Sequence, residues 1–216
     1  MCSQNEQISE VIGKVAEAYH VTPVEGVLSH QLSRYVIDGA RVIMNKPTAE
    51  QKVETVEIEE NDVWSIDIVM STGNGQLRDG NTRTTVFKRE IDTQYLLKMK
   101  AARYLHQEVA KRFPTFPFTL RAFDEKQARL GITEMLQNQM VDPYPVLYEK
   151  PDEFIAQFKT TVFVLPKQIL PAFQPVPQAC VKSEYEVTDP AVVAILNAPL
   201  KEAGAAKKKK KKPAKK

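Results

Sequence analysis

The sequence has few cysteines and no long apolar run, and each shortage excludes a class of protein. Its two cysteines, Cys2 and Cys180, form no CxxC pair, which argues against a disulfide framework and is typical of a reducing compartment. No apolar run approaches the roughly 20 residues that a membrane-spanning helix needs. The N-terminus is polar and then amphipathic, which is not the pattern of a secretory signal.

Several widespread site motifs are also missing. The sequence contains no GxGxxG, no Walker loop and no HExxH, the usual signatures of dinucleotide, nucleoside-triphosphate and zinc-peptidase sites. Gly73-Asn-Gly75 predicts a turn rather than a phosphate-binding loop, because no helical pattern follows it. No Ser-His-Asp or Cys-His arrangement stands out. Motifs alone therefore give no support for an enzyme.

Charge is unevenly distributed along the 216 residues. The net charge is +3, and the apolar fraction is an ordinary 43%. Residues 207–216 contain eight lysines and no acid, so the net charge of +3 leaves −5 on the rest of the chain. Within that rest, residues 88–129 hold ten basic and five acidic side chains. An acidic body with two basic segments suits a polyanionic partner.

Hydrophobic periodicity predicts a β-rich body interrupted by helices. Helices are expected over 4–19, 92–113, 118–123, 125–139 and 189–198, and strands within 27–44 (a strand–loop–strand) and over 63–70, 82–89, 154–165 and 181–187. Prolines 143 and 145 bound a further strand. Residues 52–58 alternate weakly and fit either a strand or a solvated loop. Pro166–Pro177 predicts an extended connector, and the composition from Ala203 onward predicts disorder.

Residues 63–70 give the clearest strand pattern. Alternate residues from Trp64 to Met70 are large and apolar, so Asp67 lies on the opposite face. We therefore expect Asp67 to line a cleft rather than the packed side of a sheet.

Two further local patterns bear on the body and on the longest helix. Gly73-Asn-Gly75 predicts a tight hairpin, so residues 82–89 are expected to return beside the strand that carries Asp67. On the helix predicted over 92–113, the apolar stripe includes His106. Because no second ligand occurs at helical spacing, His106 is interpreted as a packing histidine rather than a metal ligand.

Short segments spread in order over roughly residues 5–190 carry a family resemblance: Ser29-His-Gln-Leu32, Val36-Ile-Asp-Gly39, Arg83-Thr-Thr85, Leu97-Lys-Met-Lys100, Pro117–Phe123, Val141–Leu147, Val146–Lys150 and Ala156-Gln-Phe-Lys159. These segments resemble type II methionine aminopeptidases. They resemble more closely the non-catalytic relatives of those enzymes, the proliferation-associated, ErbB-receptor-binding proteins. The resemblance implies an α+β fold, the C-terminal half of a pita-bread (creatinase/aminopeptidase) fold with a helical insert.

The resemblance also gives meaning to four side chains. In the peptidases, the positions matching His30, Asp67 and Lys159 bind metal, and the position matching Asp38 is a histidine that handles substrate. A charged Lys159 has three donors and no lone pair, so it cannot bind a metal. Asp67 is one methylene shorter than glutamate, and one histidine is not a metal site. The resemblance therefore implies a pseudo-aminopeptidase without catalytic residues, metal or cofactor.

Two interpretations of Lys159 stay open at this point. The favoured one is an ion pair with Asp67 or Asp38 that fills the vacated metal position. The other is a catalytic lysine. For His30, a hydrogen-bonded structural histidine is favoured over a metal ligand.

The peptidases' two metal-binding aspartates and a further histidine lie in an N-terminal half-repeat that this sequence does not show. We expect either a truncated product or part of a longer chain. A lone half-domain would expose a large apolar face and would aggregate or seek a partner.

The resemblance divides the chain into four segments. Residues 4–89 are expected to begin the pita-bread half-domain, 90–140 to form a helical insert, and 141–198 to complete the half-domain. Residues 203–216 are expected to form a disordered Lys-rich tail. No membrane insertion is expected.

The related proteins are ribosome- and RNA-associated factors of the cytoplasm and nucleolus. The resemblance therefore implies the large ribosomal subunit and rRNA as partners, near the nascent-chain exit, with cytoplasmic and nuclear or nucleolar localisation. Lysine clusters bind phosphates with an affinity that falls with salt. We predict RNA contacts from basic residues of the insert and tail: Lys88, Arg89, Lys98, Lys100, Arg103, Lys111, Arg112, Arg121, Lys126, Arg129, Lys207, Lys208, Lys209, Lys210, Lys211 and Lys212.

Other functions stay open. The tail contains no aromatic residue for base stacking, and a solubilising tail or nuclear-localisation signal explains it equally well. The whole protein could instead be an interaction scaffold for signalling or transcription proteins. A residual metallo-aminopeptidase is a third hypothesis, and it requires bound metal.

Overall fold

The computed structural model describes residues 4–49, 51–173 and 180–198. Its helices are α1 (Asn5–Ala18), α2 (Lys100–Arg112), α3 (Glu125–Gln137) and α4 (Pro190–Leu196), with a 3-10 turn at Leu120–Ala122. Its strands are β1 (Thr22–Pro23), β2 (Leu28–Leu32), β3 (Val42–Met44), β4 (Val63–Ser71), β5 (Arg78–Asp79), β6 (Val86–Arg89), β7 (Phe118–Thr119), β8 (Val141–Tyr144), β9 (Leu147–Tyr148), β10 (Ile155–Leu165) and β11 (Gln168–Pro171). None of the helices in these ranges is long and apolar enough to cross a membrane.

The main sheet is antiparallel and has the strand order β11-β10-β4-β2-β3, with β1 paired to the end of β4. Strand β4 is central, because β10 pairs with one of its edges and β2 with the other. The register places Lys159 directly opposite Asp67 and Phe158 opposite Ile68. Since side chains alternate along a strand, these two pairs lie on opposite faces of the sheet.

Helix α1 covers part of one face of the main sheet. The Gln7 side chain accepts a hydrogen bond from the Gln4 backbone N–H and so closes the first turn. Buried Asn5 donates to the carbonyl oxygens of Val42 and Glu54, each at 3.0 Å, which ties the helix to β3 and to the loop before β4. The predicted helix over 4–19 is confirmed.

The insert forms a second packed unit. Strands β6, β7 and β8 make a small sheet, helix α3 packs on β8, and helix α2 packs on α3. Its core consists of residues between positions 87 and 141: Phe87, Leu97, Ala102, Leu105, Val109, Phe118, Leu120, Ala128, Ile132, Met135, Met140 and Val141. Gly131 lets the helices approach closely, because a Cβ there would lie 2.6 Å from the Ala101 carbonyl oxygen.

The structure confirms the strand–loop–strand within 27–44, the strand over 63–70, the strand that carries Lys159 and the short helix near 189–198. The helix predicted over 92–113 is wrong at its start, since α2 begins at Lys100. The reason is a hydrogen-bonding contact from a side chain that is distant in sequence. The carboxylate of Glu134 accepts the backbone N–H groups of Lys98 and Met99 at 2.7 and 2.9 Å, and it holds residues before α2 in extended form.

The predicted hairpin return is also wrong. Residues 78–79 pair with β9 and residues 86–89 pair with β7 and β8, so neither segment returns along β4. Buried Glu149 redirects the chain, because its carboxylate accepts the Ser71 hydroxyl at 2.8 Å and the Gly75 N–H at 3.0 Å. Gly75 has a φ of +73°, which favours glycine.

Four weaker patterns have mixed outcomes. Residues 52–58 form no extended strand, so of the two alternatives the loop is correct apart from a single bridge at Glu57. The connector after Pro166 contains strand β11, and the strand predicted over 181–187 is absent from that described segment. The helix over 118–123 is instead β7 followed by a 3-10 turn. The tail predicted to be disordered lies outside the described residues.

Candidate functional site

Asp67 and Lys159 form an ion pair on the face of the main sheet opposite α1. The Lys159 Nζ lies 2.8 Å from Asp67 Oδ2, across the register of β4 and β10. The Asp67 side chain is 13% exposed, whereas Lys159 is 60% exposed. Of the interpretations left open for Lys159, the structure therefore shows the ion pair with Asp67.

Gln157 completes the contacts of Asp67. Its Nε2 donates to Asp67 Oδ1 at 2.7 Å, while Lys159 donates to Oδ2. Both carboxylate oxygens consequently have a donor, and each donor comes from the same face of β10. Sequence analysis missed Gln157, although the two-residue period of a strand places it beside Lys159.

His30 lies on the same sheet face but takes part in a different contact. Its register partner is Ser65, two residues before Asp67 on β4. Its Nδ1 lies 3.0 Å from the Gly39 carbonyl oxygen. Because a carbonyl can only accept, this geometry assigns the proton to Nδ1. His30 is therefore hydrogen-bonded, as the favoured interpretation predicts.

Asp38 pairs with Lys88 rather than with Lys159. The two side chains form an ion pair between the β2–β3 loop and strand β6. The hydrogen bond from Lys88 holds the pKa of Asp38 below its usual range, against the opposing effect of burial. Burial lowers the pKa of Lys88, but the Asp38 hydrogen bond and charge outweigh it and raise that pKa. Lys88, predicted as an RNA contact, thus already has an anionic partner.

Tyr144 also lies near these groups. Burial raises its pKa, and the charges of Lys88, Asp38 and Lys159 all act on it. It belongs to the segment 141–147 that carries part of the family resemblance, so the sequence contained a signal for it. Lys88 gave no comparable signal, since its pairing with Asp38 spans fifty positions.

Both carboxylates of this region have an ammonium group as their partner. Lys159 supplies the positive charge beside Asp67, and Lys88 supplies it beside Asp38. Among residues 4–49, 51–173 and 180–198, no group of three or more His, Cys, Asp or Glu side chains is placed to hold a metal ion. His106, the other histidine considered, lies on α2 and is half-buried; burial and the nearby Arg89 lower its pKa.

Several basic side chains of the insert have structural contacts. Arg112 donates to the Ala122 carbonyl oxygen at 2.7 Å and lies over the Phe113 and Phe123 rings. Arg103 donates to two backbone carbonyl oxygens before α2, and Arg89 donates to that of Pro114. Arg129 forms an ion pair with Glu125 one helical turn earlier.

Five other predicted contacts are exposed and make no ion pair within the part of the chain that the structure describes: Lys98, Lys100, Lys111, Arg121 and Lys126. Lys100 and Gln127 line one groove between α2 and α3, which places Lys126 at the same end of the insert. Lys111 and Arg121 lie at the end of α2 and in the 3-10 turn. Residues 207–212 of the tail lie outside the described residues.

The chain is similar in sequence to proliferation-associated and ERBB-3-binding proteins and, more weakly, to methionine aminopeptidases. Proliferation-associated protein A of Dictyostelium discoideum is 43% identical over 91% of this chain and 51% of that protein. The ERBB-3 binding protein 1 of Arabidopsis thaliana is 48% identical over 76% of this chain and 42% of that protein. Methionine aminopeptidase 2 of Verticillium alfalfae is 29% identical over 74% of this chain and 38% of that protein. The chain thus spans about half the length of its curated relatives.

The fold comparison agrees with the sequence comparison. The structure of a thermophilic Arx1 superimposes with a TM-score of 0.83 at 28% identity, covering 92% of this chain and 54% of that one. No family model matches the chain. The superposition and the similarity to methionine aminopeptidase 2 confirm the predicted α+β fold, that of half of a pita-bread aminopeptidase with a helical insert.

Proposed function

Because this chain matches the C-terminal half of the proliferation-associated, ERBB-3-binding protein family, we propose that it is a non-catalytic, ribosome-associated factor that binds rRNA. The proposal extends to this chain what the resemblance implies for longer relatives. It places the partner on the large ribosomal subunit, near the nascent-chain exit. It also places the protein in the cytoplasm and in the nucleus or nucleolus.

The non-catalytic part of the proposal rests on the ion pair of Asp67 and Lys159. Neighbouring divalent metals require bridging anionic oxygens, and both oxygens of Asp67 already accept hydrogen bonds. The Lys159 ammonium has no lone pair and would repel a metal at this position. The residues present therefore do not fit the dinuclear metal centre of the aminopeptidases.

Metal analysis tests this non-catalytic part. Purified protein is expected to contain no stoichiometric cobalt, manganese or zinc after exposure to each metal and gel filtration. Metal retained at one or two ions per chain, and lost in an Asp67→Asn variant, would contradict the proposal and favour residual metallo-aminopeptidase activity.

The RNA-binding part rests on one observation, the exposed and unpaired basic side chains of the insert. Lys98, Lys100 and Lys126 lie near the α2–α3 groove, and no ion pair within the described residues engages them. Phosphate groups on RNA would neutralise this charge and release counterions. The tail, with its run of lysines from 207 to 212, would add contacts of the same kind.

Ribosome co-sedimentation across a salt series tests the RNA-binding part. A triple variant, Lys98→Glu, Lys100→Glu and Lys126→Glu, should weaken binding and flatten the salt dependence. Each lost phosphate contact should reduce the magnitude of the slope of log K against log salt by roughly 0.7 to 0.9. A chain ending at Gly204 should show a further reduction.

The matched control reverses basic residues that lie elsewhere in the body. Lys52→Glu, Lys167→Glu and Lys182→Glu together change three exposed lysines that make no ion pair within the described residues and lie outside the insert, so the change in net charge equals that of the insert variant. If the control and the insert variant weakened ribosome binding equally, net charge rather than the insert site would explain the effect. Unchanged binding of the insert variant, with the protein folded, would contradict the proposed RNA site.

A protein-interaction scaffold is the second candidate function, and the apolar part of the same α2–α3 groove supports it. The groove has a volume of about 630 Å³ and is lined by Met99, Tyr104 and Leu130. Leu130 is 58% exposed. A partner bound there would resist salt and ribonuclease, whereas rRNA binding would be lost under both conditions. Pull-down before and after ribonuclease treatment therefore separates the two candidates.

A further inference from the structure

The connection between β2 and β3 carries an exposed tyrosine that the ion-paired site does not use. Tyr35 is 66% exposed, and the Arg34 guanidinium lies over its ring, with Cζ 4.9 Å from the ring centroid. The Arg34 Nη2 also donates to the Tyr35 hydroxyl at 3.1 Å. We call these two side chains the loop tip.

Hydrogen bonds hold the backbone of the loop tip in one conformation. The N–H groups of Ser33 and Val36 each donate to the carbonyl oxygen of the other residue at 3.0 Å, so Arg34 and Tyr35 are the two central residues of a tight turn. Tyr35 has a φ of +67°, a value that glycine adopts readily and an aromatic residue only under strain. Strained residues of this kind cluster at ligand-binding positions.

Contacts at the base of the loop fix it to the rest of the molecule. The Gly39 N–H donates to the Gln31 carbonyl oxygen at 3.2 Å, and the His30 ring donates to the Gly39 carbonyl oxygen at 3.0 Å. Asp38 pairs with Lys88 on strand β6 of the insert. Because the loop is already ordered, a ligand that binds its tip has little loop entropy to overcome.

The charge of Arg34 favours an anionic ligand. Arg34 is exposed and forms no ion pair with an acidic side chain of residues 4–49, 51–173 or 180–198. The Tyr35 hydroxyl accepts one of the five N–H donors that a guanidinium carries. The remaining donors suit a phosphate, which a planar guanidinium binds through two parallel hydrogen bonds.

The ring of Tyr35 favours a flat ligand. Arg34 lies against one face of the ring, and with 66% of the residue exposed the other face is open to a second planar group. Nucleobases stack on tyrosine rings whatever their sequence. No standard side chain combines a flat ring with a strongly anionic group, whereas every nucleotide joins a base to a phosphate. A nucleotide therefore matches both groups of the loop tip.

We propose that the loop tip binds an unpaired nucleotide of single-stranded RNA, with the base stacked on Tyr35 and the phosphate held by Arg34. The nucleotide must be unpaired, because the bases of a duplex stack on each other and leave no face for a side chain. The proposal rests on the RNA-binding function proposed above and adds a base contact to the phosphate contacts of the insert. Stacking on a neutral ring releases no counterions, so this contact should persist at salt concentrations that weaken the lysine contacts.

Fluorescence of a Tyr35→Trp variant tests the proposal. Trp64, the single tryptophan of the chain, is 1% exposed and gives a constant background. The probe is a single-stranded oligoadenylate of about ten nucleotides, which lies within the usual site sizes of proteins that bind single strands. Stacking of a base should quench the introduced indole. Adenosine monophosphate and the oligoadenylate–oligouridylate duplex, at equal nucleotide concentration, should not.

Anisotropy of the labelled strand measures the contribution to affinity. Tyr35→Ala should weaken binding at least about fivefold, the lower end of the loss on removing a stacking ring, and Tyr35→Trp should preserve it. Arg34→Lys, which keeps the charge but not the planar group, should bind more weakly than the wild type and more tightly than Arg34→Ala.

Tyr185→Ala is the matched control. Tyr185 is 50% exposed, and its ring meets His20 rather than an arginine, so its removal should leave the affinity unchanged. Because Tyr35 is exposed, Tyr35→Ala should melt at the temperature of the wild type. The fluorescence of Tyr35→Trp, which keeps an aromatic ring, tests the contact even where the alanine variant is less stable.

Three outcomes would overturn the proposal. A strand that binds without quenching the indole, or that binds Tyr35→Ala as tightly as the wild type, would place the RNA elsewhere. Equal quenching by adenosine monophosphate would make the loop tip a mononucleotide site, and equal quenching by the duplex would exclude base stacking. Loss of a ribonuclease-resistant protein complex in Tyr35→Ala, at unchanged RNA affinity, would make the partner a protein.

The same variants separate this proposal from the proposed function. If the insert variant with Lys98, Lys100 and Lys126 reversed loses ribosome binding but the strand does not quench Tyr35→Trp, only the loop-tip contact is wrong. If the strand quenches Tyr35→Trp but the insert variant binds ribosomes like the wild type, the loop-tip contact stands and the insert site is wrong.

Discussion

Among single residues, Asp67 shows what alternation along a strand can predict. The two-residue period of a strand predicted that Asp67 lies on the face of β4 opposite the packed one. In the structure Asp67 lies on that face, beside Lys159. The same period could have identified Gln157. The pairing of Asp38 with Lys88 could not be predicted, because it joins a loop to a strand of the insert and depends on tertiary packing.

Replacing Lys88 tests the energetic role of that pairing. Lys88→Met should lower the free energy of unfolding at neutral pH by roughly 1 kcal/mol, since Asp38 is partly exposed and solvent screens the pair. The lowered pKa of Asp38 means that its stabilisation is present above about pH 3.9 and is lost as pH falls through the folded-state pKa. The variant and wild type should therefore converge in urea titrations near pH 2. A Lys167→Met control should match the wild type at both pH values, and a difference that persists at pH 2 would contradict the ion-pair explanation.

His106 provides a pH prediction of its own. Burial, assisted by the charge of Arg89, lowers its folded-state pKa, while the unfolded chain keeps the usual value near 6.5. As pH falls below about 7, the unfolded state takes up the proton first, so stability falls until pH passes the lowered folded-state pKa. Thermal melts of His106→Gln should be less sensitive to pH between 7 and 5 than those of the wild type. Identical pH profiles would exclude this role.

For the secondary-structure elements, local patterns located the four α-helices but not all of their ends, and the further helix predicted over 118–123 is a strand and a 3-10 turn. The stripe over 92–113 is helical only from Lys100, because Glu134 on α3 accepts the two N–H groups that precede it. The turn at Gly73–Gly75 was recognised, but buried Glu149 determines where the chain goes next. In both cases a carboxylate distant in sequence overrides the local preference.

Two glycines allow a matched test of helix packing. Gly131→Ala puts a Cβ 2.6 Å from the Ala101 carbonyl oxygen, so α2 and α3 must separate and the insert should lose stability. Gly13→Ala places a methyl group in open space on α1 and should stabilise by about 0.5–1 kcal/mol, because alanine is the better helix former. Denaturant unfolding of both variants measures the two effects. Equal effects of the two substitutions would mean that helix propensity, rather than packing, decides both positions.

At the scale of the whole molecule, the order of family-like segments predicted the fold. It did not show that the insert core is closed on all sides, whereas one face of the main sheet is only partly covered. The insert core draws on residues 87–141 and includes fully buried Leu105 and Met135. The main sheet is packed on one side by α1 and keeps Phe158 exposed. This difference depends on which face of the sheet is packed against a helix. The alternation of side chains along one strand predicts which residues share a face, but it does not predict what packs on that face.

This difference leads to a prediction about local opening, which hydrogen exchange measures residue by residue. Amides of α2 and α3 should exchange slowly, because opening either helix exposes the insert core. Amides of β11 and of the first half of β10 should exchange at least tenfold faster, since β11 is an edge strand and residues 155–159 are exposed. RNA bound to the insert should slow exchange in α2 and leave exchange in β10 unchanged. Uniform exchange across both regions would mean that the chain opens as one cooperative unit.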